Sequence, residues 1–390
     1  MRATVRLGAL TALLAAGACG GRPAPTLAPA SCQAACLWQD LVAGVDSAVT
    51  AGAAPGAVVA VSVRGQRFFH ASGRLGVDLP RPVDRRTVYD LASLTKVVAL
   101  TTVTMLAVDH GRLHLDDPVQ RYLPEFVGDG KGAVTIRHLL THSSGLRAHR
   151  PLWQESPTAD SAVALALSTP LDTTPGARTI YSDLGAITLT KVIERIYAQS
   201  VDRLFDRMVR RPLGLRAAQF RPPTKWRNRI APTERDPWRG RIVHGEVHDE
   251  NAAFLGGISG HAGLFATADD LIAFGEWLLA ARRGDPTNGP RLNSAVVREF
   301  TRRQGLVVGS SRALGWDTPS NGSSAGTRLS AESFGHTGFT GTSVWIDPTR
   351  DLVVILLTNR VNPTRDNPRL APLRILVADR AVTALESGMR

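Results

Sequence analysis

Apolar positions near both ends of the chain follow the patterns of β-strands. "GAVVAVSVRGQRFFHASG" (residues 56–73) holds two apolar runs around "RGQ", which predicts a β-hairpin. "HTGFTGTSVWIDPTRDLVVILLTNR" (residues 336–360) gives alternating and then continuous apolar runs, separated by the turn sequence "DPTRD". Strands are therefore expected close to both chain ends.

Helical patterns fill the remaining stretches. Residues 37–52 are amphipathic and end at a glycine, residues 89–109 predict a longer apolar helix, and residues 135–146 predict a short helix entering a Ser/Gly turn. Residues 372–385 predict a last helix, and the middle of the chain, about 110–300, is helical with long Pro/Arg/Gly loops. We therefore predict an α+β fold, with an antiparallel sheet built from both chain ends and flanked by helices, plus a mostly helical lobe.

The composition is that of a globular chain with a strongly basic balance. The 390 residues are 43% hydrophobic, enough for a substantial core, and the net charge is +12. Such a charge can attract nucleic acid or an anionic surface. The arginines are scattered, however, and no aromatic residues interleave with a basic stripe, so we expect no nucleic-acid partner.

The N-terminal segment predicts export. Residues 1–19 have basic residues, an apolar core and then small residues, as in a secretory signal peptide too short to span a membrane. Cys19 follows Ala-Gly-Ala, which resembles a lipoprotein cleavage site, so both a lipidated and an unmodified Cys19 stay open. Residues 20–36 predict a flexible tether, in which Cys32 and Cys36 form a disulfide or remain thiols. We expect a periplasmic or membrane-anchored protein.

One of the chain's few lysines lies in an apolar run. Only four of the 46 basic residues are lysines, and Lys96 follows Ser93 by three residues in "VYDLASLTKVVALTTVTMLAV". Residues at this spacing share a helix face. Burial lowers the pKa of a lysine, so Lys96 is expected to accept a proton from Ser93 and activate it as a nucleophile, which an arginine does not do. The alternative is a lysine that caps a polar neighbour.

Two further segments carry candidate chemistry. "TIYSDLG" places Tyr181 two residues before Asp183, and a phenol beside a cationic lysine can shuttle a proton to a leaving group. "FGHTGFTG" has three glycines in eight residues of a predicted strand, which favours close approach of a ligand. There His336 and Thr337 would donate hydrogen bonds, and the N–H after Gly338 would serve an oxyanion hole. The alternatives are a core tyrosine with a capping aspartate and a glycine-kinked edge strand.

Taken in order, these motifs resemble the serine β-lactamase and penicillin-binding protein superfamily, in particular its class C–related branch. The resemblance covers about residues 40–385 and rests on "DLASLTK", "IRHLLTHSSGL", "YSDLG", "VHDENAAFLGGISGHAGLFATADDL" and "FGHTGFTGTSVWIDP". It implies a β-lactamase/DD-peptidase-like fold, with residues 37–390 as a single catalytic domain. The branch includes D-alanyl-D-alanine carboxypeptidases, class C β-lactamases, D-amino-acid peptidases and esterases.

The resemblance also implies a role for each motif residue. Ser93 attacks an acyl carbonyl and becomes acylated, Lys96 assists its deprotonation, and Tyr181 exchanges protons with the leaving group and then with water. The backbone N–H groups of Ser93 and Phe339 form the oxyanion hole. The remaining substrate-binding positions, which include those for a substrate carboxylate or polar tail, are Asp183, His336, Thr337 and Gly338. No metal or cofactor is implied.

The chain departs from the class C pattern at two positions. Asp183 stands where class C β-lactamases usually have asparagine, and an acid there can pair with Lys96, hold it charged and leave more of the base role to Tyr181. His336 stands where they usually have lysine, and a neutral imidazole binds a carboxylate less firmly than an ammonium does. Both departures weaken the case for an efficient β-lactamase.

Several polar residues lie outside these motifs. His248, Asp249, Asn251 and His261 either line the cleft or form a hydrogen-bonded loop framework, and we favour the framework. His142 in "THSSG" is likewise expected to be structural.

Three classes of function follow from the sequence. The first is a secreted serine hydrolase that acts through an acyl-enzyme on a small-molecule or peptidoglycan-peptide substrate. Within this class we favour a D-alanyl-D-alanine carboxypeptidase or an esterase over a class C-like β-lactamase. The second is a penicillin- or peptidoglycan-binding protein without turnover, and the third is a basic surface adhesin. We favour the first, and the oligomeric state stays open.

Overall fold

The central sheet joins strands from the two ends of the chain, as predicted. The computed structural model describes residues 37–388, so the predicted signal peptide and tether, with Cys19, Cys32 and Cys36, lie outside the described residues. The strands are β1 (Gly56–Val63), β2 (Gln66–Gly76), β3 (Leu79–Pro82), β4 (Tyr89–Asp90), β5 (Gln219–Phe220), β6 (Arg235–Asp236), β7 (Arg241–Ile242), β8 (Leu264–Ala266), β9 (Phe334–Thr337), β10 (Ser343–Asp347) and β11 (Leu352–Thr358). Six of them form one antiparallel sheet in the order β3-β2-β1-β11-β10-β9.

Helices cover this sheet and fill the middle of the chain. The α-helices are α1 (Gln39–Thr50), α2 (Thr102–Asp109), α3 (Ile136–Leu140), α4 (Leu152–Glu155), α5 (Ala159–Ser168), α6 (Asp183–Tyr197), α7 (Val201–Phe205), α8 (Arg211–Leu213), α9 (Glu250–Phe254), α10 (Ala268–Arg283), α11 (Ser294–Thr301) and α12 (Leu370–Gly388). Segments of π-helix run over Lys96–Thr101 and Asp206–Arg210, and 3₁₀ turns over Val119–Arg121, Lys131–Ala133 and Thr224–Arg229. Within the part of the chain described, no helix is both long and apolar enough to cross a membrane.

The two central strands are buried on both faces, which explains their continuous apolar sequences. Successive side chains of a strand point to opposite faces. Val58 of β1 and Ile355 of β11 therefore belong to one core, whereas Val59 and Leu356 belong to the other. Helices α1 and α12 cover the second core and pack on each other.

Helix α10 packs on the sheet, so the predicted helical lobe does not extend through all of residues 110–300. Gly275 makes this contact possible, because a Cβ at that position would lie 2.6 Å from Cγ1 of Val353 on β11. The sequence pattern of an apolar helix does not distinguish packing on a sheet from packing among helices.

The predicted helix over 89–109 begins later than expected. Tyr89 and Asp90 form strand β4, which pairs with β8, and the backbone turns before becoming helical at Leu94. Ala92 in this turn has φ 46°, in the left-handed region. The Asp90 carboxylate accepts a hydrogen bond from the Ala92 N–H at 2.9 Å, which holds the turn open and keeps the helix from starting at Tyr89.

Candidate active site

Ser93 lies at the end of this turn, immediately before the helical segment. The Leu91 N–H donates to the Leu264 carbonyl at 2.9 Å, so strand β8 fixes the approach to the turn. The second Asp90 oxygen accepts the His248 N–H at 2.6 Å. No local feature of the sequence indicated that a buried aspartate would position Ser93.

The Lys96 ammonium is buried and has three oxygen partners. Its Nζ lies 3.1 Å from Ser93 Oγ, 2.9 Å from the His261 carbonyl oxygen and 2.8 Å from Asp183 Oδ1. Burial alone would lower the pKa of Lys96, but the Asp183 charge and the neighbouring Tyr181 oxygen outweigh it, and the pKa is raised. The predicted lowered pKa is therefore wrong, because the carboxylate at 183 holds Lys96 as an ammonium.

Asp183 is the first residue of α6 and faces Lys96. Ser182 caps this helix, because its Oγ accepts a hydrogen bond from the Gly185 N–H at 3.0 Å. The cap holds the first turn of the helix next to the site. Burial would raise the pKa of Asp183, but Lys96 and His149, whose Nδ1 lies 3.8 Å from Oδ2, together lower it. His149 is half-exposed, and no motif pointed to it.

Tyr181 lies between the Lys96 ammonium and the loop of His142. Lys96 Nζ is 5.0 Å from the centroid of the Tyr181 ring. His142 Nδ1 accepts a hydrogen bond from the Ser182 N–H, and the His142 carbonyl accepts one from the Ile180 N–H. Burial holds the pKa of His142 well below its usual value. His142 is thus structural, as predicted. The Tyr181 hydroxyl is buried and has no hydrogen-bond partner among residues 37–388.

The loop after β9 packs directly against the turn that carries Ser93. The Thr340 hydroxyl donates to the Asp90 carbonyl at 2.7 Å, and the Thr342 hydroxyl donates to the Leu91 carbonyl at 3.1 Å. A Cβ on Gly338 would lie 2.3 Å from the Leu91 carbonyl oxygen, so only glycine permits this approach. Within the described chain, the backbone N–H groups of Ser93 and Phe339 donate no hydrogen bond.

His336 differs from the donor that the motif suggested. Its Nδ1 lies 2.8 Å from the Thr337 carbonyl oxygen, which only accepts, so Nδ1 carries the proton. Burial, together with the charges of Arg312 and Lys96, lowers the pKa of His336 to about 3. The buried Nε2, which has no partner among the described residues, is consequently an acceptor. An acceptor at this position fits a donor group on a polar substrate tail better than a carboxylate, and the substrate-binding role of His336 stays a prediction.

A cavity of about 400 Å³ brings these residues together. Ser93 and Tyr181 line it, and Lys96 and Asp183 contact each other behind them. The other lining residues belong to the β9 segment, the loop before it, β10 and the C-terminal region, and are Arg312, Asp317, Ser323, Ser324, His336, Thr337, Gly338, Phe339, Trp345, Arg360 and Arg374. The three arginines were not singled out in the sequence. No group of three or more His, Cys, Asp or Glu side chains in the described chain is arranged to hold a metal ion.

The segment from His248 to His261 forms the hydrogen-bonded framework that we favoured. His261 Nε2 lies 2.9 Å from Asp249 Oδ1, and the His261 carbonyl accepts from Lys96. His248 donates its N–H to Asp90, as described above. The segment therefore supports both the Ser93 turn and the Lys96 ammonium.

Asn251 extends the framework to a third loop. Its Nδ2 donates to the Arg150 carbonyl at 2.8 Å, and its Oδ1 accepts the Trp153 N–H at 3.2 Å. This loop also carries His149, the neighbour of Asp183.

Comparisons with known proteins find matches over most of the chain. A family model described as "Beta-lactamase" matches residues 42–379. A protein of Escherichia coli (strain K12) named "Putative D-alanyl-D-alanine carboxypeptidase" is 31% identical over 333 residues, which cover 77% of this chain and 75% of that protein.

Solved structures confirm the predicted fold class. "EstCE1, a hydrolase with promiscuous acyltransferase activity" superposes with a TM-score of 0.72 at 24% identity, covering 90% of this chain and 100% of its own. A class C beta lactamase from Rhodobacter sphaeroides superposes with a TM-score of 0.70 at 22% identity, and the match covers 89% of this chain and 99% of that structure's chain. The β-lactamase/DD-peptidase-like arrangement is thus the fold of this chain.

Proposed function

The chain belongs to the β-lactamase family and is a hydrolase of that family; on this basis we propose that Ser93 is its nucleophile and forms an acyl-enzyme with ester or amide substrates. The observation that carries the proposal is the 3.1 Å contact of Lys96 Nζ with Ser93 Oγ at the wall of the cavity. Ser93 is in reach of a bound acyl group, and its oxygen is next to a fixed positive charge.

The ion pair at Lys96 supports Tyr181 rather than Lys96 as the base. An ammonium has no lone pair, so Lys96 stabilises negative charge and does not accept the Ser93 proton. We assign that step to Tyr181, whose oxygen takes the proton as Ser93 Oγ bonds to the acyl carbon. It then gives the proton to the leaving group as the old acyl bond breaks. In deacylation water is the attacking group: it gives a proton to Tyr181 as its oxygen bonds to the acyl carbon, and Ser93 Oγ leaves and takes that proton back.

The backbone supplies the remaining stabilisation. The N–H groups of Ser93 and Phe339 bind the oxyanion of the tetrahedral intermediate. The contact of Gly338 with Leu91 sets the spacing of these two donors. Thr337 lines the cavity beside them and binds a polar substrate group.

For the substrate, we propose a D-alanyl-D-alanine carboxypeptidase-like or esterase activity. The supporting facts are the name of the relative from Escherichia coli and the hydrolase title of the EstCE1 structure. Asp183 and the neutral His336 depart from the class C β-lactamase pattern, which makes β-lactam hydrolysis and lasting penicillin binding the weaker alternatives.

A substrate panel with intact-protein mass spectrometry tests the proposal. We expect turnover of a short-chain p-nitrophenyl ester or a D-Ala-D-Ala peptide, with a transient acyl adduct on Ser93. Ser93→Ala should reduce kcat by about 10⁴-fold or more, whereas Ser168→Ala, at an exposed helical serine, should not. Full activity of the Ser93→Ala variant would refute the assignment of the nucleophile. Stable labelling by a fluorescent penicillin would favour a binding protein, and rapid release of ring-opened product a β-lactamase.

We also propose that the protein is exported, to the periplasm or to a membrane through Cys19. The support is the pattern of residues 1–19. Labelling of cells with a palmitate analogue, followed by fractionation, should mark the wild type and leave Cys19→Ala unlabelled. If the wild type were unlabelled and soluble in the periplasm, the proposed lipid anchor would be refuted and the proposed export would stand.

A further inference from the structure

A second cavity, of about 530 Å³, has a wall that is rich in arginine. It shares no lining residue with the cavity at Ser93. Its acidic lining residues are Asp269 and Asp270, and its basic ones are Arg67, Arg85, Arg86, Arg216 and Arg229. Positive charges therefore outnumber negative charges on its wall.

This cavity lies at the opposite end of strands β4 and β8 from Ser93. Arg86 precedes β4 and Thr267 directly follows β8, and both line the cavity. At the other end of these antiparallel strands, the Leu91 N–H donates to the Leu264 carbonyl beside the Ser93 turn. A ligand in the second cavity would therefore leave the proposed site of acylation free.

Two of the five arginines have a carboxylate partner. Arg67 Nε donates to Glu276 Oε1 at 2.8 Å, and its Nη2 donates to Glu276 Oε2. Arg85 Nε lies 3.8 Å from Asp269 Oδ2, and its Cζ lies 5.8 Å from the centroid of the Phe69 ring. These two guanidinium groups are thus balanced by acids of their own.

The second acid of the wall is already used by the fold. Asp270 Oδ2 accepts hydrogen bonds from the Thr267 hydroxyl at 2.6 Å and from the Thr267 N–H at 3.1 Å, and its Oδ1 accepts the Ala217 N–H at 3.2 Å. Its carboxylate therefore secures the start of α10 and makes no ion pair with an arginine of the cavity.

The remaining three arginines of the wall have no counter-charge. Arg86, Arg216 and Arg229 form no ion pair within the part of the chain that the structure describes, whereas Arg67 and Arg85 do. A guanidinium does not lose its proton in a protein, so these charges persist at any pH at which the protein is folded. Each gains free energy from an anion that enters the cavity.

Arg229 is the best positioned of the three. Its Cζ lies 4.2 Å from the centroid of the Trp226 ring, a contact that orients the planar guanidinium. Its carbonyl accepts the Val88 N–H at 2.9 Å, which joins this segment to the start of β4. Its Nε is buried and has no hydrogen-bond partner in residues 37–388. A buried donor without a partner is costly, and a ligand that accepts from it recovers that cost.

The arrangement favours an anion with oxygens in several directions. Arg86, Arg216 and Arg229 precede β4, β5 and β6 respectively, so three separate segments bring their side chains to the cavity. A carboxylate offers two oxygens in one plane and a single charge. A terminal phosphate offers three oxygens and about two negative charges at pH 7, and arginine pairs with it through a fork of donors.

We propose that this cavity binds a phosphate group through Arg86, Arg216 and Arg229. The site is distinct from the proposed acyl-enzyme site and goes beyond the proposed function. The phosphate belongs either to a soluble phosphate monoester or to a lipid headgroup, which present the same terminal oxygens.

Calorimetric titration with inorganic phosphate tests the proposal. The ionic strength is held constant with chloride, because salt screens exposed charges. We expect one site per chain with a dissociation constant below about 1 mM. Arg216→Gln, at an exposed side chain, should weaken binding about 10-fold or more. Arg229→Lys should bind with intermediate affinity, because it retains the charge but not the fork of donors.

Arg291→Gln is the matched control. Arg291 is exposed and does not line the cavity, and its replacement changes the net charge equally. Its affinity for phosphate should stay within about twofold of the wild-type value. An equal loss in Arg291→Gln and Arg216→Gln would show a general charge effect and overturn the proposal. Absence of phosphate binding by the wild type, or equally tight binding of acetate, would also overturn it.

Ser93→Ala separates this inference from the proposed function. The variant lacks the proposed nucleophile but keeps the second cavity, so it should bind phosphate as tightly as the wild type does. Unchanged binding supports the second site even if the wild type hydrolyses no ester or peptide. Loss of phosphate binding in Ser93→Ala would place the anion in the Ser93 cavity and refute the inference, even if the wild type is an active esterase.

Vesicles distinguish the two sources of the phosphate. Cys19→Ala removes the proposed lipid anchor, and this variant is sedimented with phosphatidylcholine vesicles that contain phosphatidate. Sedimentation that Arg216→Gln abolishes and Arg291→Gln preserves would identify a lipid headgroup as the ligand. Binding of inorganic phosphate without such sedimentation would identify a soluble phosphate monoester.

Discussion

The two sides of the cavity differ in how far the protein satisfies its cationic and imidazole groups, although the buried Tyr181 hydroxyl on the helical side also lacks a partner among the described residues. On the helical side, the Lys96 ammonium has three oxygen partners within 3.1 Å. On the strand side, His336 Nε2, Arg312 Nη1 and Arg374 Nε are buried without a partner among the described residues. A satisfied group fixes its geometry before substrate arrives, whereas an unsatisfied group gains a partner on binding. The helical side is thus built for chemistry and the strand side for recognition.

Breaking the ion pair on the helical side should have the largest effect. Asp183→Asn leaves the buried Lys96 ammonium without a counter-charge. We expect the free energy of unfolding at pH 7 to fall by about 3–5 kcal/mol and kcat to fall about 10²-fold or more. Urea denaturation and steady-state kinetics measure the two effects.

Asp172→Asn provides the control for this variant. Asp172 pairs with Arg147, but both side chains are well exposed, so the loss of this pair should cost less than about 1 kcal/mol.

The effect of Asp183 also depends on pH. Because the pKa of Asp183 is lowered on folding, its contribution to the free energy of unfolding is complete above the usual carboxyl range and declines as the pH falls below about 4. A difference between wild type and Asp183→Asn that grew at low pH would contradict this account.

Disturbing the contact between the two sides should have an intermediate effect. Gly338→Ala places a Cβ 2.3 Å from the Leu91 carbonyl oxygen and 2.2 Å from Thr342 Oγ1, so the turn after β9 must move away from Ser93. We expect kcat/KM to fall about 10- to 100-fold and stability to fall by about 1–3 kcal/mol.

Gly132→Ala is the comparison for this steric effect. The nearest atom to a Cβ there is Gln120 Oε1 at 3.5 Å, an ordinary contact. Its kcat/KM should remain at the wild-type value. If Gly338→Ala were equally active, the close approach of the two sides would not matter for catalysis.

The smallest effect at pH 7 concerns the strand side, where the expected change emerges only at acid pH. The pKa of His336 is lowered from 6.5 to about 3, so the unfolded chain binds a proton in this interval that the folded protein does not. Stability should therefore fall as the pH falls from about 6.5 towards 3, by up to about 1.4 kcal/mol per pH unit for this group. His336→Asn should reduce the slope of the free energy of unfolding against pH. Identical slopes would mean that His336 is protonated in the folded protein.

The sequence was sufficient for the sheet and for the order of the motifs. The continuous apolar runs of β1 and β11 identify buried strands, and Ser93, Lys96, Tyr181 and the β9 segment do meet at one cavity. The strands follow from local periodicity, and the proximity of Ser93 and Lys96 follows from their spacing of three residues, whereas the resemblance to a known family predicted that Tyr181 and the β9 segment join them.

The electrostatics of the site depended on contacts between distant segments. The pKa direction of Lys96 follows from Asp183, and the proton position on His336 follows from the Thr337 carbonyl, which only coordinates show. Arg312 has no local pattern that separates it from the chain's other arginines. The left-handed turn before Ser93 depends on Asp90 and was hidden inside an apolar run that looked helical.

The pairing of β1 with β11 has a consequence for biosynthesis. The register matches Ala57 with Thr358 and Val63 with Leu352, so β1 leaves the ribosome long before the strand that it pairs with. A nascent polypeptide can form helices and the first hairpin, but the sheet lacks its middle until residue 358 has emerged. Assembly of the core therefore requires closure over a long loop of intervening chain, which is slow.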